Sequence, residues 1–257
     1  MKEENVIFEN KGEKLAGVLH IPDVETKSAI VFCHGFAGDK NGYKNKNIRV
    51  ARKLCANGFA VLRFDLRGCG ASDGSFVDTT ISSEADDLRA AIGFVQQLGY
   101  ERIGIIGGSF GGFVSILAND SRVKSMVLWA PVLTLKEAFI KSGKVTQQMM
   151  NEALTKGYTV YKRSAGGEVE LSKEFIKELT TVEIFDTIKK INYPLMIIHG
   201  NKDDVVDYRY SEKYIRYAAG QKQLRIIPGA DHSFSGMPEY EQQLTEATAE
   251  WFNKWLK

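Results

Sequence analysis

Short apolar runs alternate with amphipathic segments along most of the chain, and this alternation restricts the fold more than any other feature. Residues 29–33 form an uninterrupted apolar run, which is typical of a strand covered on both faces. Further strands are predicted at residues 6–8, 15–20, 60–64, 103–106, 125–129, 195–199 and 224–227. Helical spacing of apolar residues is found at about 47–57, from about 83, at 111–119 and at 240–256. Strands that alternate with helices pair in parallel through right-handed crossovers, so we predict an α/β fold with a doubly wound, mostly parallel sheet.

Residues 133–191 interrupt this alternation, because they contain no strand-like run. The segment is amphipathic in places, with Met149, Met150 and Tyr158 on one helical face. We predict a single domain, residues 1–257, in which a helical cap at about 133–191 is inserted over the edge where the strands end. Additional helices packed on a core face are the alternative.

Composition and charge exclude several classes of partner. The 257 residues carry 34 Lys and Arg against 32 Asp and Glu, and this net charge of +2 provides no electrostatic basis for binding nucleic acid or an acidic membrane surface. No apolar run approaches the roughly 18 residues of a membrane span, and residues 1–10 lack the apolar core of a secretory signal. Cys33, Cys55 and Cys69 are too few and too scattered for a disulfide framework or a metal site. We therefore expect a cytoplasmic protein without metal or cofactor, and the sequence leaves a homo-oligomer open.

The run Gly107-Gly108-Ser109-Phe110-Gly111 matches the G-x-S-x-G pattern and lies between a predicted strand and a predicted helix. So sharp a turn gives the serine a strained backbone conformation in which flanking side chains would collide. Glycines two residues before and after the serine remove those collisions. Ser109 is therefore the candidate nucleophile, and a glycine-rich loop without chemistry is the alternative.

A serine hydroxyl needs a neighbouring base to act as a nucleophile at neutral pH, and the chain has four histidines. His20 ends an early strand, and His34 begins a loop that it is well placed to shape. Where the order along the chain is serine, acid, histidine, His199 comes too early, because it precedes the acidic cluster. His232 follows the last strand in a loop that can reach over the sheet edge, so it is the candidate base.

The acid that orients the imidazole should lie in the loop after the strand at 195–199. That loop contains two candidates, Asp203 and Asp204. Asp203 is favoured by its Gly-x-x-Asp spacing from Gly200, and Asp204 is the alternative.

Acyl transfer also requires N–H donors for the oxyanion that forms on the substrate. The backbone N–H of Phe110, directly after the nucleophile, supplies one. The backbone N–H of Phe36, in the loop after residues 29–33, fits the second. Both donors belong to the main chain, so the side chains are free to line a pocket.

Five motifs along the chain together resemble those of the α/β-hydrolase superfamily: residues 34–36, 65–72, the Ser109 turn, 200–203 and 229–232. The likeness is greatest to small carboxylesterases that include the bacterial cinnamoyl (feruloyl) esterases, and more distant to monoacylglycerol lipases. The resemblance implies that Ser109, Asp203 and His232 form a catalytic triad and that Phe36 and Phe110 supply the oxyanion hole. The Ser109 turn differs in reading Gly-Gly-Ser-Phe-Gly-Gly, which is similar to the acylaminoacyl-peptidase group.

These residues favour a cofactor-free serine carboxylesterase that acts on small-molecule esters with short- to medium-chain or aromatic, cinnamoyl-type acyl groups. We expect its largely apolar acyl pocket to be lined by Phe36, Phe110, Trp129, Met149, Met150 and Tyr158. The same groups could cleave thioesters or small acylated peptides. A silent ligand-binding protein is the third alternative, although a pure binder has no need of serine, acid and imidazole together.

Overall fold

The computed structural model describes residues 1–163 and 166–257. The described residues form ten strands: β1 Lys2–Asn10, β2 Glu13–Ile21, β3 Ser28–Cys33, β4 Ala60–Phe64, β5 Arg102–Gly108, β6 Val123–Trp129, β7 Tyr158–Lys162, β8 Glu168–Ser172, β9 Leu195–Gly200 and β10 Lys222–Ile227. Eight of them build one sheet in the order β1-β2-β4-β3-β5-β6-β9-β10. β2 pairs antiparallel with β1 and β4, and the other neighbours in this sheet pair in parallel.

The α-helices of the described chain are α1 Lys46–Ala56, α2 Ile81–Gln97, α3 Phe110–Ala118, α4 Gln147–Lys156, α5 Lys173–Thr181, α6 Phe185–Ile188, α7 Arg209–Tyr214 and α8 Pro238–Trp255. Side chains of α2 and α3 pack in one apolar core, and those of α1 and α8 pack in a second core. Helices therefore cover both faces of the sheet, and the predicted doubly wound α/β fold is confirmed.

β3 shows why the apolar run at its centre is uninterrupted. All six of its residues are buried. Because successive side chains of a strand point to opposite faces, Val31 and Cys33 belong to the core on one face, whereas Ile30 and Phe32 belong to the core on the other. A strand that is covered on both sides has no position at which a polar side chain would meet water.

The segment between β6 and β9 was predicted to be helical, but it is not helical throughout. It contains a π-helix at Lys136–Lys141 and helices α4, α5 and α6. It also contains an antiparallel hairpin formed by β7 and β8. The prediction that no strand lies there was wrong. In β7 the side chains of Thr159 and Tyr161 are buried, and the other three are exposed. This alternation of period two spans only five residues.

α2 begins earlier than the predicted start near Ser83. Thr80 is the N-cap: its side chain accepts the Ser83 N–H, and Ser83 Oγ in turn accepts the Thr80 N–H. Two N–H groups at the start of the helix are thereby satisfied. The capping pair therefore sets the first turn at Ile81.

Parallel strands bring their carboxyl ends to one edge of the sheet, and the loops that follow them lie there. The loop after β3 carries residues 34–36, the turn after β5 carries Ser109, the loop after β9 carries Asp203 and the loop after β10 carries His232. In the described chain, no helix is both long and apolar enough to cross a membrane.

Candidate active site

Ser109 stands alone between β5 and α3, in a backbone conformation that non-glycine residues rarely adopt. Its φ is 52° and its ψ is −119°. The surrounding backbone holds it there, since its N–H donates to Trp129 O at 2.8 Å and its carbonyl accepts the N–H groups of Gly112 at 3.0 Å and Val132 at 2.9 Å. The hydroxyl consequently projects from the tip of the turn.

The flanking glycines are required by close backbone approach. A Cβ on Gly111 would overlap the carbonyl oxygens of Cys33 and His34, and a Cβ on Gly107 would lie 2.6 Å from Ser115 Oγ. The fold therefore leaves no room for a side chain at either of these two positions, as expected from the motif.

The structure brings His232 to Ser109 although 123 residues separate them. His232 Nε2 lies 3.0 Å from Ser109 Oγ, and its Nδ1 lies 2.7 Å from Asp203 Oδ2. These distances are those of hydrogen bonds. With the Nδ1 proton donated to the carboxylate, Nε2 is free to accept the serine proton.

The side chain of Asp203 is completely buried and accepts hydrogen bonds on both carboxylate oxygens. Oδ1 accepts the N–H groups of Val205 and Val206, each at 2.8 Å, while Oδ2 faces His232 and His199. Burial alone would raise the pKa of Asp203, but the hydrogen bonds from the two imidazoles and from the backbone hold it well below its usual range. Asp203 is therefore a carboxylate at any pH near neutrality.

His199 is the residue whose place in the site the sequence did not reveal. It is fully buried, and its Nε2 lies 2.9 Å from Asp203 Oδ2 and 3.1 Å from Val206 O. Both neighbours are acceptors, so Nε2 carries the proton, and Nδ1 accepts the hydroxyl of Ser211 at 2.7 Å. One feature of the sequence could have indicated this contact: His199 lies near the end of a strand, four residues before the candidate acid.

Other candidates lie apart from this line of contacts. Asp204 is exposed, and the imidazole of His232 contacts its neighbour Asp203 instead. His34 donates to Gly35 O at 2.8 Å and accepts the Leu66 N–H at 3.1 Å, so it shapes its loop as expected. His20 accepts Arg63 Nε at 2.9 Å inside the sheet, where burial lowers its pKa to about 4.

The two backbone donors predicted for an oxyanion lie in the segments next to Ser109. The N–H of Phe110 opens α3, where the first N–H groups have no partner within the helix. Phe36 follows Gly35, whose Cβ position would lie 3.4 Å from Ser109 Cβ. A turn closed by Gly38 N donating to Gly35 O at 3.0 Å holds this loop, with Ala37 in the left-handed region at φ 46°.

A cavity of about 770 Å³ opens beside Ser109 and His232. Of the side chains expected to line it, Phe36, Phe110 and Trp129 do so. The segment between β6 and β9 contributes Ala138, Phe139, Lys144, Tyr161, Arg163 and Val169 to its wall.

Three of the expected lining residues lie elsewhere, and their placement corrects the prediction. Met149 and Met150 are partly buried against the core beneath α4, and Tyr158 is 39% exposed. Tyr161 lines the cavity instead, because β7 turns alternate residues inward, whereas the helical spacing assumed for this segment would place Tyr158 and Tyr161 together.

An aromatic cluster surrounds the Phe36 ring on one side of the cavity. The centroid of that ring lies 5.2–5.8 Å from those of Phe76, Phe110, Phe139, Tyr161 and Phe175. Edge-to-face contacts predominate, as is favourable for aromatic rings. This end of the cavity therefore favours apolar groups.

Comparison with known proteins supports the same fold. The family model described as alpha/beta hydrolase fold matches residues 28–157, about half of the chain, and a serine aminopeptidase S33 model matches residues 168–238. The human mitochondrial palmitoyl-protein thioesterase ABHD10 is 27% identical over 186 residues, which cover 71% of this chain and 59% of the relative. The chain thus spans less than two thirds of that relative. An uncharacterized protein of Mycobacterium tuberculosis is 24% identical over 232 residues, 89% of this chain and 72% of the relative.

Two solved structures are similar over nearly the whole chain. Est1E of Butyrivibrio proteoclasticus, solved with ferulic acid bound, has a TM-score of 0.81 and 22% identity, covering 97% of this chain and 98% of its own. The mouse alpha/beta hydrolase domain-containing protein 10 has a TM-score of 0.77 and 18% identity, and the match covers 98% of this chain and 99% of the mouse chain. At these identities the likeness shows the fold alone. On the match to residues 28–157 and on its sheet topology, the chain belongs to the α/β-hydrolase fold family.

Proposed function

We propose that the protein is a serine hydrolase of carboxylic esters in which Ser109, His232 and Asp203 form the catalytic triad. The observation that carries this proposal is the continuous line of contacts from Ser109 Oγ through both nitrogens of His232 to Asp203 Oδ2, at 3.0 Å and 2.7 Å. A neutral imidazole held between a hydroxyl and a buried carboxylate is the arrangement that activates a serine.

In the first half of the reaction, Ser109 Oγ attacks the ester carbonyl carbon while His232 Nε2 takes its proton. The negative charge that develops on the carbonyl oxygen is stabilised by the N–H groups of Phe36 and Phe110. The protonated imidazole, whose charge Asp203 compensates, then gives its proton to the departing alcohol oxygen. In the second half His232 Nε2 takes a proton from a water molecule as the water attacks the acyl-enzyme. The imidazolium then returns that proton to Ser109 Oγ as the carboxylic acid departs.

The cavity supports short- to medium-chain or aromatic acyl groups as substrates. Its volume of about 770 Å³ suits a ligand of drug-like size. We assign the aromatic cluster around Phe36 to the acyl group, because its rings provide an apolar wall beside the proposed oxyanion donors. The described part of residues 133–191, with its helices and hairpin, acts as a cap over the site. The ferulic acid bound to the similarly folded Est1E supports a cinnamoyl-type acyl group.

Thioester hydrolysis is the second candidate, because relatives that match this chain are named palmitoyl-protein thioesterase. The same residues would serve, with a thiol as the departing group. The serine aminopeptidase match over residues 168–238 keeps small acylated peptides as a third class. The close contact of Ser109 with His232 argues against a silent binding protein, in which such a contact has no use.

The test combines labelling and turnover. We expect a fluorophosphonate probe to label the wild-type protein, and 4-nitrophenyl butyrate to be hydrolysed. Ser109→Ala should abolish labelling and lower kcat by about 10⁴–10⁶. Ser142→Ala, an exposed serine that donates to Ala138 O, is the matched control and should behave as wild type. Labelling that survives in Ser109→Ala would exclude Ser109 as the nucleophile.

A further inference from the structure

The general acid identifies the side of the cavity on which the leaving group lies. His232 must contact the departing atom to protonate it, whereas the aromatic cluster around Phe36 is assigned to the acyl group. The two residues after His232, Ser233 and Phe234, line the cavity and also a second groove of about 630 Å³. Tyr43 and Lys46 line both spaces as well. The groove therefore borders the site at the residues that follow the proposed general acid.

Lys46 lies at this junction, on the first residue of α1. Its Nζ donates to Ser233 O at 2.8 Å and lies 5.6 Å and 5.4 Å from the ring centroids of Trp129 and Phe234. Among the described residues, no carboxylate forms an ion pair with it. Burial lowers the pKa of Lys46 to about 8. An ammonium held by one carbonyl and two aromatic faces lacks a full counter-charge, which an anionic ligand would supply.

The nearby carboxylates are already engaged by other groups. Asp231 Oδ1 lies 3.3 Å from Ser233 Oγ and accepts the Ser235 N–H at 2.9 Å. Glu241 accepts both Nε and Nη2 of Arg49, each at 2.7 Å. Neither carboxylate is bonded to Lys46, and their charges offset only part of the effect of burial on its pKa.

The groove beyond Lys46 carries an excess of positive charge. Lys44, Lys46, Arg49 and Lys53 line it together with two carboxylates, Glu241 and Glu246. With Arg49 and Glu241 neutralising each other, three lysines remain against one glutamate. Tyr43 and Met237 provide exposed apolar walls, at 53% and 49% exposure. A lining of this kind accommodates an extended group that bears an anion.

We propose that Lys46 and the groove beyond it bind an anionic group on the leaving alcohol or thiol, so that the preferred substrates are esters or thioesters whose leaving group carries a phosphate or a carboxylate. This inference rests on the proposed function and adds the chemistry of the departing half. Its structural basis is that Lys46, which has no ion-pair partner among the described residues, lines both the cavity beside the proposed general acid and the groove.

The experiment compares substrates that share an acyl group and differ in the charge of the leaving group. Butyryl-CoA with S-butyryl-N-acetylcysteamine forms the phosphate pair, and 4-(butyryloxy)benzoate with its methyl ester forms the carboxylate pair. We measure kcat/KM for all four with the wild type, Lys46→Met and the control Lys124→Met, which alters an exposed lysine at the opposite end of β6 from Trp129. Binding of CoA and of 4-hydroxybenzoate to Ser109→Ala, with and without Lys46→Met, is measured by calorimetry.

We expect the wild type and Lys124→Met to prefer the charged member of at least one pair, and Lys46→Met to reduce that preference about tenfold, as fits the loss of one charge-assisted contact. The pair that responds identifies the anion. An equal loss for charged and neutral substrates would overturn the inference and leave Lys46 as a support of the His232 loop. Unchanged calorimetric affinity on removing Lys46 would overturn it too. If the wild type neither turns over these substrates nor reacts with a fluorophosphonate, the proposed function fails instead.

Discussion

Replacement of His199 tests whether the environment of the acid controls the base. The Asp203 carboxylate accepts four hydrogen bonds, two from backbone N–H groups and one each from His232 and His199. His199→Phe keeps an aromatic ring in a fully buried position and removes one of the four. A hydrogen bond to a charged group contributes about 1.5–3 kcal/mol. If most of that is lost in the transition state, kcat/KM falls about 10- to 100-fold.

The pH profile separates this positioning role from simple structural damage. Loss of the His199 donor removes one of the hydrogen bonds that hold the pKa of Asp203 below its usual range, so this pKa rises. Because only the ionised Asp203 orients the imidazole of His232 and compensates its charge, the acidic limb of the kcat/KM profile should move to higher pH in His199→Phe.

Two further variants complete the assay. His199→Gln offers a side-chain N–H donor to Asp203 and should restore part of the activity and of the pH profile. Ser211→Ala removes the hydroxyl that His199 Nδ1 accepts at 2.7 Å, and should show a smaller effect of the same sign, since Val206 O still favours the proton on Nε2. Initial rates with 4-nitrophenyl butyrate and thermal unfolding are measured together. A folded His199→Phe protein with wild-type kcat/KM and an unmoved acidic limb would refute the reasoning.

Three other perturbations have expected outcomes. Asp203→Asn should lower kcat by about 10⁴ in the same ester assay, with Asp204→Asn close to wild type; the reverse order would make Asp204 the acid. Gly111→Ala should prevent soluble expression or reduce thermal stability strongly, because its Cβ would overlap backbone carbonyl oxygens; a wild-type melting temperature would contradict this. Burial raises the pKa of Glu84 from an ordinary 4.5 to about 8. Between these two values the folded protein retains a proton that the unfolded chain releases. The free energy of unfolding therefore falls as the pH rises through this interval. In urea unfolding, the free energy of unfolding of Glu84→Gln should therefore rise relative to that of the wild type between pH 5 and 8, by at most roughly 5 kcal/mol. A difference between the two proteins that stays constant over that range would refute this.

The parts of the site that depend on local sterics could be predicted from the sequence. The turn at Ser109 is recognisable because only glycine tolerates the approach of neighbouring backbone at Gly107 and Gly111. The apolar run in β3 identifies a strand covered on both faces, since no residue in it could face water. The choice of His232 over His199 as the candidate base followed from chain order. In the structure His232 contacts Ser109, and His199 contacts Asp203.

The tertiary structure determined which residues are neighbours in the site. The hairpin of β7 and β8 is too short for its alternation to stand out against helical spacing, so Tyr161 and not Tyr158 reached the cavity. The contact of His199 with Asp203 depends on the path of the loop after β9, and the meeting of Lys46 with Ser233 joins residues 187 positions apart. Local residue types carry the stereochemistry of single turns and strands, whereas the order of strands in the sheet brings distant loops together. The sequence alone therefore indicated the candidate reacting groups, and only the packing of the sheet and its helices determined their neighbours and the space left for a substrate.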